Sequence, residues 1–235
     1  MKKLERLKKL LESNYNFKNI NYEYFPKTNE ELKKIVDNLI KQYGNSVDLN
    51  NINVSNIDDF SKVFQFKYYF NGNVSKWDTS NGKFFYSMFK YCERFNQDLS
   101  KWDVSNGENF YYFFYKCKKF NSDLFYWNVS NANNFIYMFY TCENFNTDLS
   151  RWNVFNVKNF SGMFSGCKNF NADLSQWDVS AGEYFDFMFY NCKSFNADLS
   201  KWNVTNAKYW KNFATDSLLE KYPERIPVRF REDYL

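Results

Sequence analysis

The feature that most constrains this chain is self-similarity at a fixed period of 25 residues. Trp77, Trp102, Trp127, Trp152, Trp177 and Trp202 are each 25 residues apart, as are Cys92, Cys117, Cys142, Cys167 and Cys192, and Phe89, Phe114, Phe139, Phe164 and Phe189. Phe95-Asn96 returns at Phe120-Asn121, Phe145-Asn146, Phe170-Asn171 and Phe195-Asn196, and Asp98-Leu99 returns at 123, 148, 173 and 198. The register holds without insertion or deletion. A unit this short cannot bury an apolar face by itself, so it must pack against its own copies.

The pattern fades at both ends. Val54-Ser55-Asn56, Phe60, Phe64 and Phe70-Asn71 form a degenerate first repeat with Ile52 in the Trp slot, and Trp202 opens a last one that stops at Ala214. Such atypical ends are what capping units look like.

Residues 96–120 read NQDLSKWDVSNGENFYYFFYKCKKF. Leu99, Trp102 and Val104 alternate as one side of a short extended segment. Asn106-Gly107 punctuates it. Phe110, Phe113, Phe114 and Cys117 then fall at i, i+3, i+4 and i+7, which predicts one face of a short helix. Stacking predicts each Trp, Phe and Cys about 5 Å from its copy. The expected fold class is therefore an α/β repeat solenoid, a leucine-rich-repeat-like stack of strand-turn-short-helix units with a helical N-terminal cap. The expected organisation is a cap over 1–47, six to seven repeats over 48–214 and a C-terminal cap over 215–235. In the first cap, residues 1–13 predict a basic amphipathic helix. Thr28-Asn29-Glu30-Glu31 reads as a capping box before a helix that Gly44 ends.

Composition narrows function. Phe, Tyr and Trp supply 23% of the residues, which excludes a disordered chain, and 34 Asn stand against 7 Gly and no His. Histidine chemistry is excluded, and no glycine-rich phosphate loop or nucleophile elbow occurs, so no enzyme is expected. The net charge of +4 sits in residues 1–44, with 10 basic and 6 acidic residues; residues 45–214 hold 17 and 16. A body of alternating signs lacks the clustered field of a nucleic-acid binder. Met1–Leu11 shows no apolar leader core, and no run of about eighteen apolar residues exists. These readings place the chain in the cytoplasm without membrane insertion, or at a surface if a leader has been removed.

The motif FNQDLSKWDVSNGENFYYFFYKCKKFN, residues 95–121, resembles the BspA-like leucine-rich-repeat family, and more narrowly its mycoplasma surface-protein branch. FPKTNEELKKIV, residues 25–36, resembles that family's helical lead-in. The resemblance covers about residues 49–214. It implies a non-enzymatic solenoid for protein binding, often at cell surfaces, in a family also found in phages and bacteria with A+T-rich genomes. Two departures stand out. The family's first Met is replaced by Phe85, Phe110, Phe135, Phe160 and Phe185, and its Val often by Gly82, Gly107, Ala132, Gly182 or Ala207. A larger ring beside a smaller neighbour reads as compensation.

The repeated polar rows read as structural. The five Cys share one slot without CxxC pairing, so buried thiols are expected and no metal site or cofactor. Asp98 and its copies are expected to accept hydrogen bonds from their own turns, and Asn96 and its copies to form a side-chain-to-backbone ladder. Function is expected where an outward slot breaks the pattern. Phe125 replaces the Ser two before Trp, Tyr126 replaces the Lys or Arg that follows, and Phe155 replaces the Ser three after Trp. Exposed aromatics within a polar face fit an interaction hot spot, or else pack locally with one another. Phe125, Tyr126 and Phe155, flanked by Lys101 and Arg151, are the candidate partner-binding residues. A second candidate is the tyrosine row of Tyr86, Tyr111, Tyr112, Tyr115, Tyr137, Tyr140 and Tyr190, which equally suits packing between units.

These features predict a monomeric, non-enzymatic module that binds another protein, one concrete form being an inhibitor that blocks a partner enzyme. Two alternatives stand beside it. One is a surface or secreted adhesin. The other is a binder or inhibitor of a nucleic-acid-processing machine, using the N-terminal helix and the tyrosines on RNA or DNA.

Overall fold

The computed structural model describes residues 20–235. The helix expected over residues 1–13 lies outside the described residues. Helix α1 spans Asn29–Tyr43. Thr28 Oγ1 accepts the Glu31 N–H at 3.2 Å, and the Glu31 carboxylate accepts the Lys27 N–H at 2.7 Å, one residue further back than in the usual capping box. Leu32, Val36 and Leu39 are buried, and Gly44 (φ 87°) ends the helix with its N–H on the Ile40 carbonyl. The left-handed value suits a residue without Cβ.

Beyond α1, units 25 residues apart pair in parallel. Single-residue bridges run Asp59, Phe84, Asn109, Asn134, Asn159, Tyr184, Tyr209, each to the next. No extended strand longer than such a bridge forms among the described residues.

The short helix expected at Phe110–Cys117 is absent, and turns stand in its place. The N–H groups of Phe110, Tyr112, Phe114 and Lys116 donate to carbonyls of the next unit, at Asn134, Ile136, Met138 and Tyr140 (2.7–3.1 Å). The N–H groups of Phe113, Tyr115 and Cys117 close turns on Phe110, Tyr112 and Phe114. A helix of eight residues would leave its first four N–H groups without internal acceptors and is too short to repay its nucleation. The turns keep the same inward spacing while alternate donors hold the neighbouring unit. The first and third turns place Tyr112 (φ 57°) and Lys116 (φ 61°) at the position where a type II turn needs φ > 0. Every unit repeats these two left-handed slots, and in 146–170 they hold Gly162 and Gly166.

The core is a set of residue rows. Trp77–Trp102, Trp127–Trp152, Trp152–Trp177 and Trp177–Trp202 stack with planes within 6° at 6.2–6.5 Å. Phe64, Phe89, Phe114, Phe139, Phe164 and Phe189 stack at 5.1–5.7 Å. The indole spacing exceeds the expected 5 Å or so of backbone pairing because large rings offset rather than eclipse. Each indole N–H also donates to a carbonyl 28 residues earlier, as in Trp127 to Leu99 at 2.9 Å, so the row carries a buried hydrogen-bond ladder. Compensation in the phenylalanine slot is visible directly. A Cβ on Gly82, Gly107 or Gly182 would lie 2.3–2.5 Å from the ring of Phe85, Phe110 or Phe185. Where Ala132 stands instead, Phe135 is turned 58° from Phe110 and 63° from Phe160.

Both ends supply the groups a missing unit would. Asn29 Nδ2 donates to the Asp59 and Ser61 carbonyls at 2.9 and 3.1 Å, in place of a preceding unit's backbone. At the other end short 3-10 turns at Leu219–Lys221, Pro223–Arg225 and Val228–Tyr234 wrap the last unit. Arg225 donates to the Asn196 carbonyl, Arg229 to the Thr205 carbonyl, and the Tyr234 hydroxyl accepts the Ala214 N–H. Phe230 stacks on Trp210 at 5.0 Å where the next ring of the row would lie.

Candidate functional site

The repeated polar side chains are consumed by the fold. Asp98, Asp123, Asp148, Asp173 and Asp198 each accept the N–H two residues on, at 2.9–3.0 Å. The Ser200 hydroxyl and N–H hold the Asp198 carboxyl below its ordinary pKa. Asn71, Asn96, Asn121, Asn146 and Asn171 each accept the N–H of the Asn 25 residues later, at 2.8–3.0 Å. The ladder ends at Asn196, whose Oδ1 is buried without a partner among the described residues. The five cysteines are free, buried thiols, each donating to a phenylalanine carbonyl 28 residues earlier at 2.9–3.0 Å. Burial pushes every thiol pKa upward, so these are unreactive packing groups rather than nucleophiles.

Of the five partner-binding candidates, the structure brings three together. The Arg151 guanidinium lies 5.4 Å from the Phe125 ring centre and 5.5 Å from that of Tyr126, and the two rings meet edge to face at 4.8 Å. Phe125 is only 8% exposed, which corrects the expectation of a ring open to solvent. With an arginine over it and Tyr126 beside it, burying the ring gains more than showing it to water. Tyr126 is half-buried. Phe155 makes none of these ring contacts and is 51% exposed. Its N–H donates to Asn153 Oδ1 at 3.2 Å, the same bond that Ser105 and Ser130 make in their units, so the fold does not need the ring. Lys101 is exposed, one unit before Tyr126 in the same slot.

A second surface lies along the turn segments. Tyr91, Tyr115 and Tyr140 follow one another at 5.4 and 4.6 Å, and Tyr112 and Tyr137 at 5.4 Å. Lys90 sits 4.0 Å from the Tyr112 ring centre, and Lys116 4.9 Å from that of Tyr91. Burial, and after it the neighbouring phenols, pushes the Tyr115 pKa up to about 12, so its hydroxyl stays a protonated donor. The tyrosine row was legible in sequence. Its lysines and its extension to Tyr91 and to Phe66, 5.3 Å further on, were missed; Lys90 shares the slot of Tyr115 and Tyr140, and Phe66, Tyr91 and Lys116 share the slot that follows it.

The described residues thus define an aromatic-rich repeat protein whose regular polar groups serve the fold. The chain belongs to the family described as Mycoplasma protein of unknown function, DUF285, whose model matches residues 30–144 and again residues 124–221. No curated protein and no solved structure matches it. Among the described residues no helix is long and apolar enough to cross a membrane.

Proposed function

We propose that the chain is a non-enzymatic, leucine-rich-repeat-like solenoid that binds another protein through the face carrying Phe155. The observation that carries this reading is a phenyl ring 51% exposed in a slot where Ser80, Ser105, Ser130, Ser180 and Thr205 stand in other units. An aromatic that the fold does not use, one unit along the chain from an arginine-capped aromatic pair, is the composition of an interface centre. Arg151 and Tyr126 frame the contact, and Lys101 extends it with charge.

The test compares Phe155→Ser with the native chain in nuclease-treated co-purification from the cells that make it. The variant should keep its melting temperature, because an exposed substitution changes stability by less than about 0.5 kcal/mol. It should lose the captured protein. Capture unchanged by Phe155→Ser, or a partner removed by nuclease, would sink the reading. Phe125→Ser is the packing contrast and should lower stability by about 1–3 kcal/mol.

A further inference from the structure

We propose that the tyrosine–lysine surface of the turn segments binds an acidic protein helix whose carboxylates recur once per turn. This rests on the reading of the chain as a protein-binding module and names a partner chemistry for a face separate from Phe155.

Charge is the first argument. Lys90 and Lys116 lie over tyrosine rings, and among the described residues neither forms an ion pair. Nearby Glu93 is taken by Lys118 at 2.8 Å. One carboxylate, Asp186, faces the row from its far end, where its charge acts on Tyr137. Lysine ammonium groups and tyrosine hydroxyls make this a surface rich in donors.

Ring orientation is the second. Tyr115 and Tyr140 lie within 8° of parallel, and Tyr112 and Tyr137 within 6°. Tyr112 and Tyr115 each have a stacked ring on one side and Lys90 over the ring as well. What remains for a partner is the ring edges, which carry the positive end of the aromatic quadrupole, and the hydroxyls. Nucleobases need free faces to stack on, so this arrangement favours carboxylates over single-stranded nucleic acid.

Spacing is the third. Between equivalent slots, Tyr112 to Tyr137 is 5.4 Å and Tyr115 to Tyr140 is 4.6 Å. An α-helix advances about 5.4 Å per turn, so side chains one turn apart keep step with successive units. Same-face side chains of an extended peptide recur at about 6.6 Å and fall out of step within two or three units.

The experiment is fluorescence anisotropy on the full chain with a labelled helical peptide carrying glutamates at i, i+4, i+7 and i+11. A peptide of the same composition with the glutamates spread around the helix, and an oligothymidylate of twenty nucleotides, are run alongside. The aligned peptide should bind at least ten-fold more tightly than the spread one, and added salt should weaken it. Lys90→Met with Lys116→Met, which keeps the stems and removes the charges, should weaken binding at least ten-fold, while Phe155→Ser leaves it unchanged. Equal binding of the two peptides, tighter binding of the oligonucleotide, or indifference to the double substitution would overturn the proposal. If no acidic peptide binds while Phe155→Ser still abolishes capture of the cellular partner, this face is not a docking site and the protein-binding reading stands.

Discussion

At the residue scale, the thiols illustrate how a row of identical groups acts together. Each buried cysteine has its pKa raised by desolvation above the ordinary value of 9.0. Below that value both folded and unfolded chains hold the proton, and the contribution to stability is constant. Above it the unfolded chain gives up protons that the folded chain keeps, so stability falls as pH rises, by up to about 1.4 kcal/mol per pH unit for each thiol. Thermal melts between pH 7 and pH 11 should therefore turn downward near pH 9, and Cys142→Ala should make the decline shallower. A melt that stays flat through pH 10 would contradict the burial of the row. Ellman's reagent should find no thiol in the native chain at neutral pH and all five after denaturation.

At the element scale, the phenylalanine slot and the turns are set by different kinds of information. Gly107 leaves room for the Phe110 ring, and Phe135 beside Ala132 is turned aside, although Phe60 beside Ile57 and Phe160 beside Val157 stay within 3° and 15° of Phe85 and Phe185. Gly107→Ala should displace the Phe110 ring, which a Cβ there would meet at 2.5 Å, and cost about 1–3 kcal/mol, read from the denaturant midpoint, because the rings around it lose their fit. A neutral outcome would mean the glycine slot is not a packing device. That compensation was legible in sequence, because it is a relation between two neighbouring side chains that recurs in register. The turn segment was not. Spacings of three and four residues put side chains on one side of a helix and equally of a run of turns, and what separates them is whether alternate N–H groups find the next unit. One signal was available. Gly162 and Gly166 stand four apart in slots that elsewhere hold Tyr112 and Lys116, which marks left-handed positions that no helix interior would repeat. Phe125 misled for a related reason. Its slot alternates outward, but the Arg151 that folds over it comes from the next unit, and the pattern within one unit carries no trace of that contact.

At the scale of the whole molecule, units that contact mainly their neighbours divide stability among interfaces, and the ends become the weakest places. Residues 215–235 supply the last interface. Phe230 packs on Trp210, Phe213 and Phe185 at 5.0–5.5 Å, and Arg225, Arg229 and Tyr234 satisfy backbone groups of the final unit. Removing the segment forfeits about 1.5–3 kcal/mol for the ring and about 1 kcal/mol for each hydrogen bond. A globular domain would share that loss everywhere. Nearest-neighbour coupling confines it, so a chain truncated after Ala214 should exchange its amide hydrogens faster over 196–214 while 96–145 keeps its protection. Acceleration spread evenly along the chain would show that the units do not stabilise one another pair by pair. Truncation should also leave binding at Phe155 intact, because two units separate it from the uncovered end.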